Sequence, residues 1–189
     1  MRPGGTPPSR AVAAGQLRRP HCQVCYTCLM HPHAQLITDF YSAFQRRDAQ
    51  AMAACYHPEV EFSDAAFPGL RRQEPGAMWL MLCERGKDLE LTFRDVQADD
   101  HQGRAHWDAS YTFSGTGRKV LNRIDAEFEF RDGKIVRHRD DFDFWTWSRQ
   151  ALGPAGLVLG WTPFLKKKVQ AKARKSLDIF MRERGIPRE

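Results

Sequence analysis

No stretch of this sequence is long and apolar enough to cross a bilayer, which takes about 20 consecutive apolar residues. Met1 to Gly15 also lacks the apolar centre of a secretory signal. These two absences predict a cytoplasmic protein. Cysteine is scarce: five in 189 residues do not make a disulfide framework. Three of them, Cys22, Cys25 and Cys28, crowd ahead of His31, a spacing that offers soft ligands for zinc or an iron–sulfur cluster. The set is incomplete, because a fourth Cys or a second ligand pair is missing, and the surrounding Pro, Gly and Arg residues predict a disordered leader over residues 1–31. Met30 is an alternative start for the compact protein. No metal and no organic cofactor is expected, and no internal repeat is present.

Acid is scarce at both ends of the chain. Met1 to Leu29 carries four Arg and no acid, and from Lys166 onward nine Lys or Arg face three acids. Of 29 basic and 23 acidic residues this leaves sixteen against twenty in the middle, a net of −4 inside a chain whose formal charge is +6. A basic tail attracts polyanions by neutralising phosphate. Such a run is most simply a solvated helix face, so contact of the C-terminal helix with nucleic acid or membrane is not expected.

What is present is enough apolar material, 42% of residues with 11% aromatic, for one core. From Ala34 to Arg47 the residues Leu36, Ile37, Phe40, Tyr41 and Phe44 recur at helical spacing. Asp48 caps a short second helix, Ala49 to Cys55, and Pro75 to Arg85 reads as a third, stopped by Gly86. Between them His57 and Pro58 break the pattern, and Val60, Phe62 and Asp64 alternate with polar residues as in a strand. Beyond the third helix the period becomes two. Leu89 to Val96, Arg104 to Ser114, Lys119 to Phe130 and Lys134 to Trp147 are the predicted strands, with Asp132-Gly133 a hairpin turn. The order predicts an α+β fold: a cone-shaped, curved antiparallel sheet, three N-terminal helices packed on its concave side, and a C-terminal helix. Residues 32–150 form the domain. Residues 151–189 form an apolar linker and a basic amphipathic helix over Lys166 to Arg184.

The segments FYSAFQRRDAQAMAACYHPEVEFSD and NRIDAEFEFRDGKIVRHRDDFDFW make the chain resemble the nuclear transport factor 2-like superfamily, in its SnoaL-like and ketosteroid-isomerase-like branch, over about residues 32–150. The resemblance implies an apolar cone pocket for a small hydrophobic molecule, and a homodimer. It leaves the activity open, because the superfamily holds isomerases, cyclases, epoxide hydrolases, dehydratases and non-catalytic proteins. Two functions fit the resemblance: a cofactor-independent acid/base enzyme, and a ligand-binding or dimerisation module.

Strand parity sorts the polar candidates. Asp64 shares a face with Val60 and Phe62 and falls where the resembling isomerases have their general base. Its other reading is a strand-end Asp that caps a turn or pairs with Arg71 or Arg72. Parity sets Ile124, Ala126 and Phe128 on the core face and Asp125 outside, so the isomerase hydrogen-bonding acid has no counterpart unless a bulge intervenes. Phe40 stands where that enzyme has its catalytic Tyr, with Tyr41 one residue off. Asn122 points inward as a ligand orienter. On the last strand Val136, His138, Asp140, Phe142 and Phe144 share one face, and the RDDFD segment resembles the end of limonene-epoxide hydrolases, whose first Asp belongs to the water-activating set and maps onto Asp140. The candidate catalytic residues are thus Asp64, Asp140 and His138, and the candidate pocket wall is Asn122, Tyr111, Trp107, Phe40, Phe62 and Phe142. A buried, self-satisfied polar network is the alternative for His138 and Asp140.

Overall fold

The computed structural model of the chain describes Met1 and residues 30–188. The expectations for the leader, including Cys22, Cys25 and Cys28, lie outside the described residues. Helix α1 (Pro32–Gln45) opens with Pro at its first turn and buries Ile37, Phe40, Tyr41 and Phe44 along one stripe. Asp48 accepts from the Ala51 backbone N–H at 3.0 Å to start α2 (Ala49–Ala54). Strand β1 (Tyr56–Ser63) and the two-residue β2 (Leu70–Arg71) precede α3 (Gln73–Arg85), and the long strands β3 (Glu90–Ala98), β4 (Gln102–Phe113), β5 (Arg118–Arg131) and β6 (Lys134–Asp141) follow. Together the strands make one curved, unclosed sheet in the order β2-β1-β6-β5-β4-β3. The sheet is not wholly antiparallel: β1 and β6 run parallel, and every other neighbouring pair is antiparallel.

Three differences from the sequence expectation have physical causes. His57 and Pro58 lie inside β1 rather than ahead of it. The register between β1 and β6 shifts between Tyr56 and Glu61, and this irregular stretch takes up a proline that has no N–H to give a regular ladder. Val136 does not share the inward face with His138. A register shift pairs Glu129 with Arg137 but Phe130 with Ile135, so Val136 is the bulged residue and Ile135 takes the core position, fully buried. The last strand also stops at Asp141 instead of running to Trp147. Asp143 accepts from the backbone N–H of Trp145 at 2.9 Å and of Thr146 at 3.1 Å, which caps a helix, α4 (Phe144–Leu152). Phe144 therefore leaves the strand face assigned to it.

The segment expected as an apolar linker is helical as well. After α4 come α5 (Pro154–Leu159) and the basic helix α6 (Pro163–Glu183). Helix α4 lays Trp147 and Ala151 on Val120 of β5. Helix α6 buries Leu177, Phe180 and Met181, and its Gln170 donates to the Ala65 carbonyl at 3.0 Å while Arg174 pairs with the buried Glu74 of α3. The α4–α5 corner depends on Gly156. A Cβ there would lie 1.8 Å from the Ser148 carbonyl oxygen, a backbone atom that cannot swing away. Gly156→Ala is expected to cost about 1–3 kcal/mol by overpacking, read as a lowered thermal midpoint by circular dichroism.

The main core lies between the sheet and helices α1 to α3, with the inner face of α6 joining it. Phe40, Phe44, Tyr56, Phe62, Trp79 and Trp107 interlock there, mostly edge to face at ring separations of 5.0 to 6.4 Å. Such pairs add about 0.5–1.5 kcal/mol each beyond the area they bury.

Candidate functional site

Strand β6 carries His138 and Asp140 into this aromatic core at 0% and 5% exposure. They alternate with exposed Arg137, Arg139 and Asp141. The arrangement is a hydrogen-bonded chain. Trp79 Nε1–H donates to Tyr56 Oη at 2.8 Å, and that hydroxyl is 2.7 Å from His138 Nδ1. His138 Nε2 is 3.0 Å from Asp140 Oδ1, which also accepts from Trp107 Nε1–H at 3.3 Å. Because Tyr56 already accepts from Trp79, its own proton goes to Nδ1. His138 then carries hydrogen on Nε2 and donates it to the carboxylate. Every donor has an acceptor, and one carboxylate oxygen, Asp140 Oδ2, takes no bond from a described residue. The imidazole is held in place by rings: Phe128 at 4.4 Å, Phe62 at 5.1 Å, Phe40 at 5.4 Å, and Trp79 stacked at 6.1 Å.

Asp64 sits just past the end of β1, half-buried, in the turn that leads to β2. Its Oδ1 accepts from the backbone N–H of Ala66 at 2.7 Å and from that of Phe67, so the turn-capping role applies. Burial nevertheless pushes its carboxyl up to about 7. The Phe67 hydrogen bond opposes that rise, the charge of Asp140 adds to it, and the Ala66 bond and the Lys166 ammonium oppose it again. The charge of Asp140 thus reaches the Asp64 turn.

Trp107 bonds Asp140, while Phe40 and Phe62 pack on His138. Tyr111 is half-buried and accepts from Trp147 Nε1–H at 2.9 Å. Burial raises its hydroxyl, the bond from Trp147 counteracts this, and the Asp64 charge adds to the rise. Phe142 lies half-buried between the main core and the small cluster under α4. Asn122, opposite Ala109, is half-buried and makes no side-chain hydrogen bond with a described residue. Asp125 is exposed and faces His106 at 2.7 Å on the far side of the sheet.

Two cavities flank this centre. One, of about 380 Å³, lies between the Asp64 turn and α6, lined by Ala66, Phe67, Pro68, Leu70, Gln170 and Arg174 among others. The other, of about 680 Å³, is a charged groove near the β3–β4 hairpin with Arg104, Glu127, Arg137 and Arg139 in its walls. Neither is lined by Asp64, His138 or Asp140.

A family model for the SnoaL-like domain matches residues 37–138, which is 102 of the 189 residues. The chain belongs to the SnoaL-like domain family. Solved structures with the same fold as this SnoaL-like domain include a candidate polyketide cyclase from Xanthomonas campestris pv. campestris, 22% identical over 64% of this chain and 96% of that one, with a TM-score of 0.54. An LEH-like epoxide hydrolase of M. tuberculosis is 19% identical over 68% of this chain and 96% of its own, TM-score 0.55. A nuclear transport factor 2-like protein of unknown function from Burkholderia pseudomallei is 17% identical over 65% of this chain and 98% of its own, TM-score 0.56. No curated protein matches the chain.

Three residues of the SnoaL-like domain's polar centre escape a reading of the sequence alone. Tyr56 has the parity of Val60 and Phe62, a signal that the helix-ending Cys55 and the Pro58 break obscure. Trp79 reads as a core residue of α3, and nothing local announces its hydrogen bond. Tyr41 is fully buried with a hydroxyl that has no partner among the described residues. Burial holds that hydroxyl neutral well above its usual range, the Asp140 and Tyr56 charges adding to the effect.

Proposed function

We propose that this SnoaL-like domain performs acid/base chemistry of isomerase, cyclase or hydrolase type on a small hydrophobic molecule, with no metal or organic cofactor taking part. The observation that carries the reading is the His138–Asp140 pair on the inner face of β6, with a second carboxyl at Asp64 held near neutrality within range of its charge. Asp140 Oδ2 is the base that takes a proton from substrate or from an attacking water. His138 holds the other oxygen and stabilises the carboxylate, and Tyr56 and Trp79 fix its tautomer. Asp64, with Oδ1 occupied by backbone donors, carries its proton on Oδ2 and returns one to the product. A general acid or base in such a step is worth about 10²–10⁴-fold in rate. The likeness to a cyclase and an epoxide hydrolase supports this substrate class, and a homodimer belongs to the same reading.

The test is solvent exchange and turnover. Wild-type protein in D₂O with a panel of hydrophobic ketones is expected to place deuterium at carbon next to the carbonyl, or with hydrophobic epoxides to add water, both read by mass spectrometry. A ligand that binds, quenches tryptophan fluorescence and is recovered unchanged would sink the enzyme reading. It would favour the second one, a non-catalytic binding module, which the lining of the two cavities also supports.

Asp64 gives the reading a pH signature. As an acid with a value of about 7, it is active when protonated, so kcat is expected to fall as pH rises through 7. The fold holds its proton more tightly than the unfolded chain, whose ordinary value is 3.8. That contribution to stability is present below about pH 4 and is lost as pH rises through about 7. Asp64→Asn removes the dependence. The wild type is expected to lose about 2 kcal/mol relative to the variant between pH 4 and 8, measured as paired urea midpoints.

A further inference from the structure

The C-terminal helices expose an apolar crest that the acid/base reading does not use. Leu157, Val158 and Leu159 of α5, then Trp161 and Phe164 at the start of α6, are 39 to 75% exposed, with Trp145 beside them at 39%. Isolated exposed apolar residues need no explanation, but six within a twenty-residue stretch make a patch. The crest is built on a fixed base. The Gly156 contact locks the α4–α5 corner, Trp145 Nε1–H donates to the Leu157 carbonyl at 3.3 Å, and Trp161 Nε1–H donates to that of Val158 at 2.9 Å.

Cations rim the crest. From Phe144 to Leu177 there are seven Lys or Arg and no acid. Lys166, Lys167, Lys168, Lys172 and Lys175 are exposed, Lys168 Nζ lies 4.8 Å over the Phe164 ring, and the Arg149 guanidinium lies 4.3 Å over Trp145. Long basic stems that cover aromatic rings while their charged heads reach outward are how a protein meets the headgroup layer.

Charge decides the occupant. A second copy docked through the same patch would set one acid-free basic stretch against another. Residues 1–29, with four Arg and no acid, carry charge of the same sign. We infer that the α5–α6 crest docks on an anionic lipid bilayer, with Leu157, Val158, Trp161 and Phe164 entering the interface and Lys166, Lys167 and Lys168 engaging lipid headgroups. The inference departs from the expectation of a solvated helix face because the first turn of α6 adjoins exposed apolar residues. The docking stands independently of the acid/base reading.

The test is sedimentation of the full chain with vesicles at about 0.1 M salt. Vesicles of phosphatidylcholine with 30% phosphatidylglycerol are expected to pellet the protein, pure phosphatidylcholine vesicles to leave it in solution, and added salt to release it. Trp161→Ser with Phe164→Ser is expected to weaken binding at least tenfold. Changing Lys166, Lys167 and Lys168 together to Gln is expected to weaken it about a hundredfold, at about fivefold per lysine. All five positions are exposed, so an unchanged melting temperature confirms an intact fold. Failure to pellet with anionic vesicles overturns the inference. So does undiminished vesicle binding by the Ser variant, which would indicate a purely electrostatic polyanion surface. A concentration-dependent dimer that Trp161→Ser dissolves, without vesicle binding, would assign the crest to a second copy instead.

Discussion

Asp140→Asn is expected to lower kcat by about 10²–10⁴-fold while leaving the fold intact. The carboxamide oxygen still accepts from His138 Nε2 and Trp107 Nε1, the two bonds that Oδ1 receives in the native protein. The amide group that replaces Oδ2 cannot take a proton. Activity and stability therefore part company in this variant, and denaturant midpoints beside steady-state rates show it. Asp140→Ala separates the roles from the other side, because it removes the acceptor of both donors in a buried setting. It is expected to cost about 2–4 kcal/mol, at about 1–2 kcal/mol for each orphaned donor. Equal stability losses in the Asn and Ala variants, with no rate to lose, would make the pair a structural network.

Trp79→Ala is expected to be the most destabilising single change, about 3–5 kcal/mol of the roughly 5–15 kcal/mol that hold a domain together. The indole is 2% exposed and touches the rings of Phe40, Phe44, Phe62, Trp107 and His138. It is also the donor to Tyr56. Tyr56→Phe isolates the polar part: it keeps the ring, removes the hydroxyl that supplies His138 Nδ1, and is expected to cost about 1–2 kcal/mol. Urea unfolding of the two variants side by side distinguishes lost volume from lost hydrogen bonding. If Trp79→Ala cost no more than Tyr56→Phe, the aromatic packing would carry little of the stability.

The sheet and its first three helices were legible because local signals agreed: one apolar stripe over Ile37 to Phe44, a capping Asp48, and an Asp-Gly turn whose two residues both take positive φ. The inward pairing of His138 with Asp140 was legible for the same reason, since β6 alternates cleanly over that stretch. Errors arose where two codes overlap. Phe142 to Trp147 is rich in the aromatic residues that strands favour, yet Asp143 caps a helix there, and its bonds to Trp145 and Thr146 outweigh that preference. The bulge at Val136 left no mark in composition. Tyr56 and Trp79 could not be assigned from the sequence because their roles come from partners 82 and 23 residues away.

The parallel pairing of β1 with β6 sets an order on the birth of the protein. During synthesis β1 has only the two-residue β2 beside it until residues through Asp141 have left the ribosome, since its other neighbour is the last strand made. The edge of β1 stays open while residues 64–141 are made, whereas that of β5 is covered as soon as the hairpin to β6 closes. Closing the gap demands contacts of high sequence separation, which form slowly. A nascent chain stopped short of β6 therefore has the edges of β1 and β5 unpaired and lacks both His138 and Asp140.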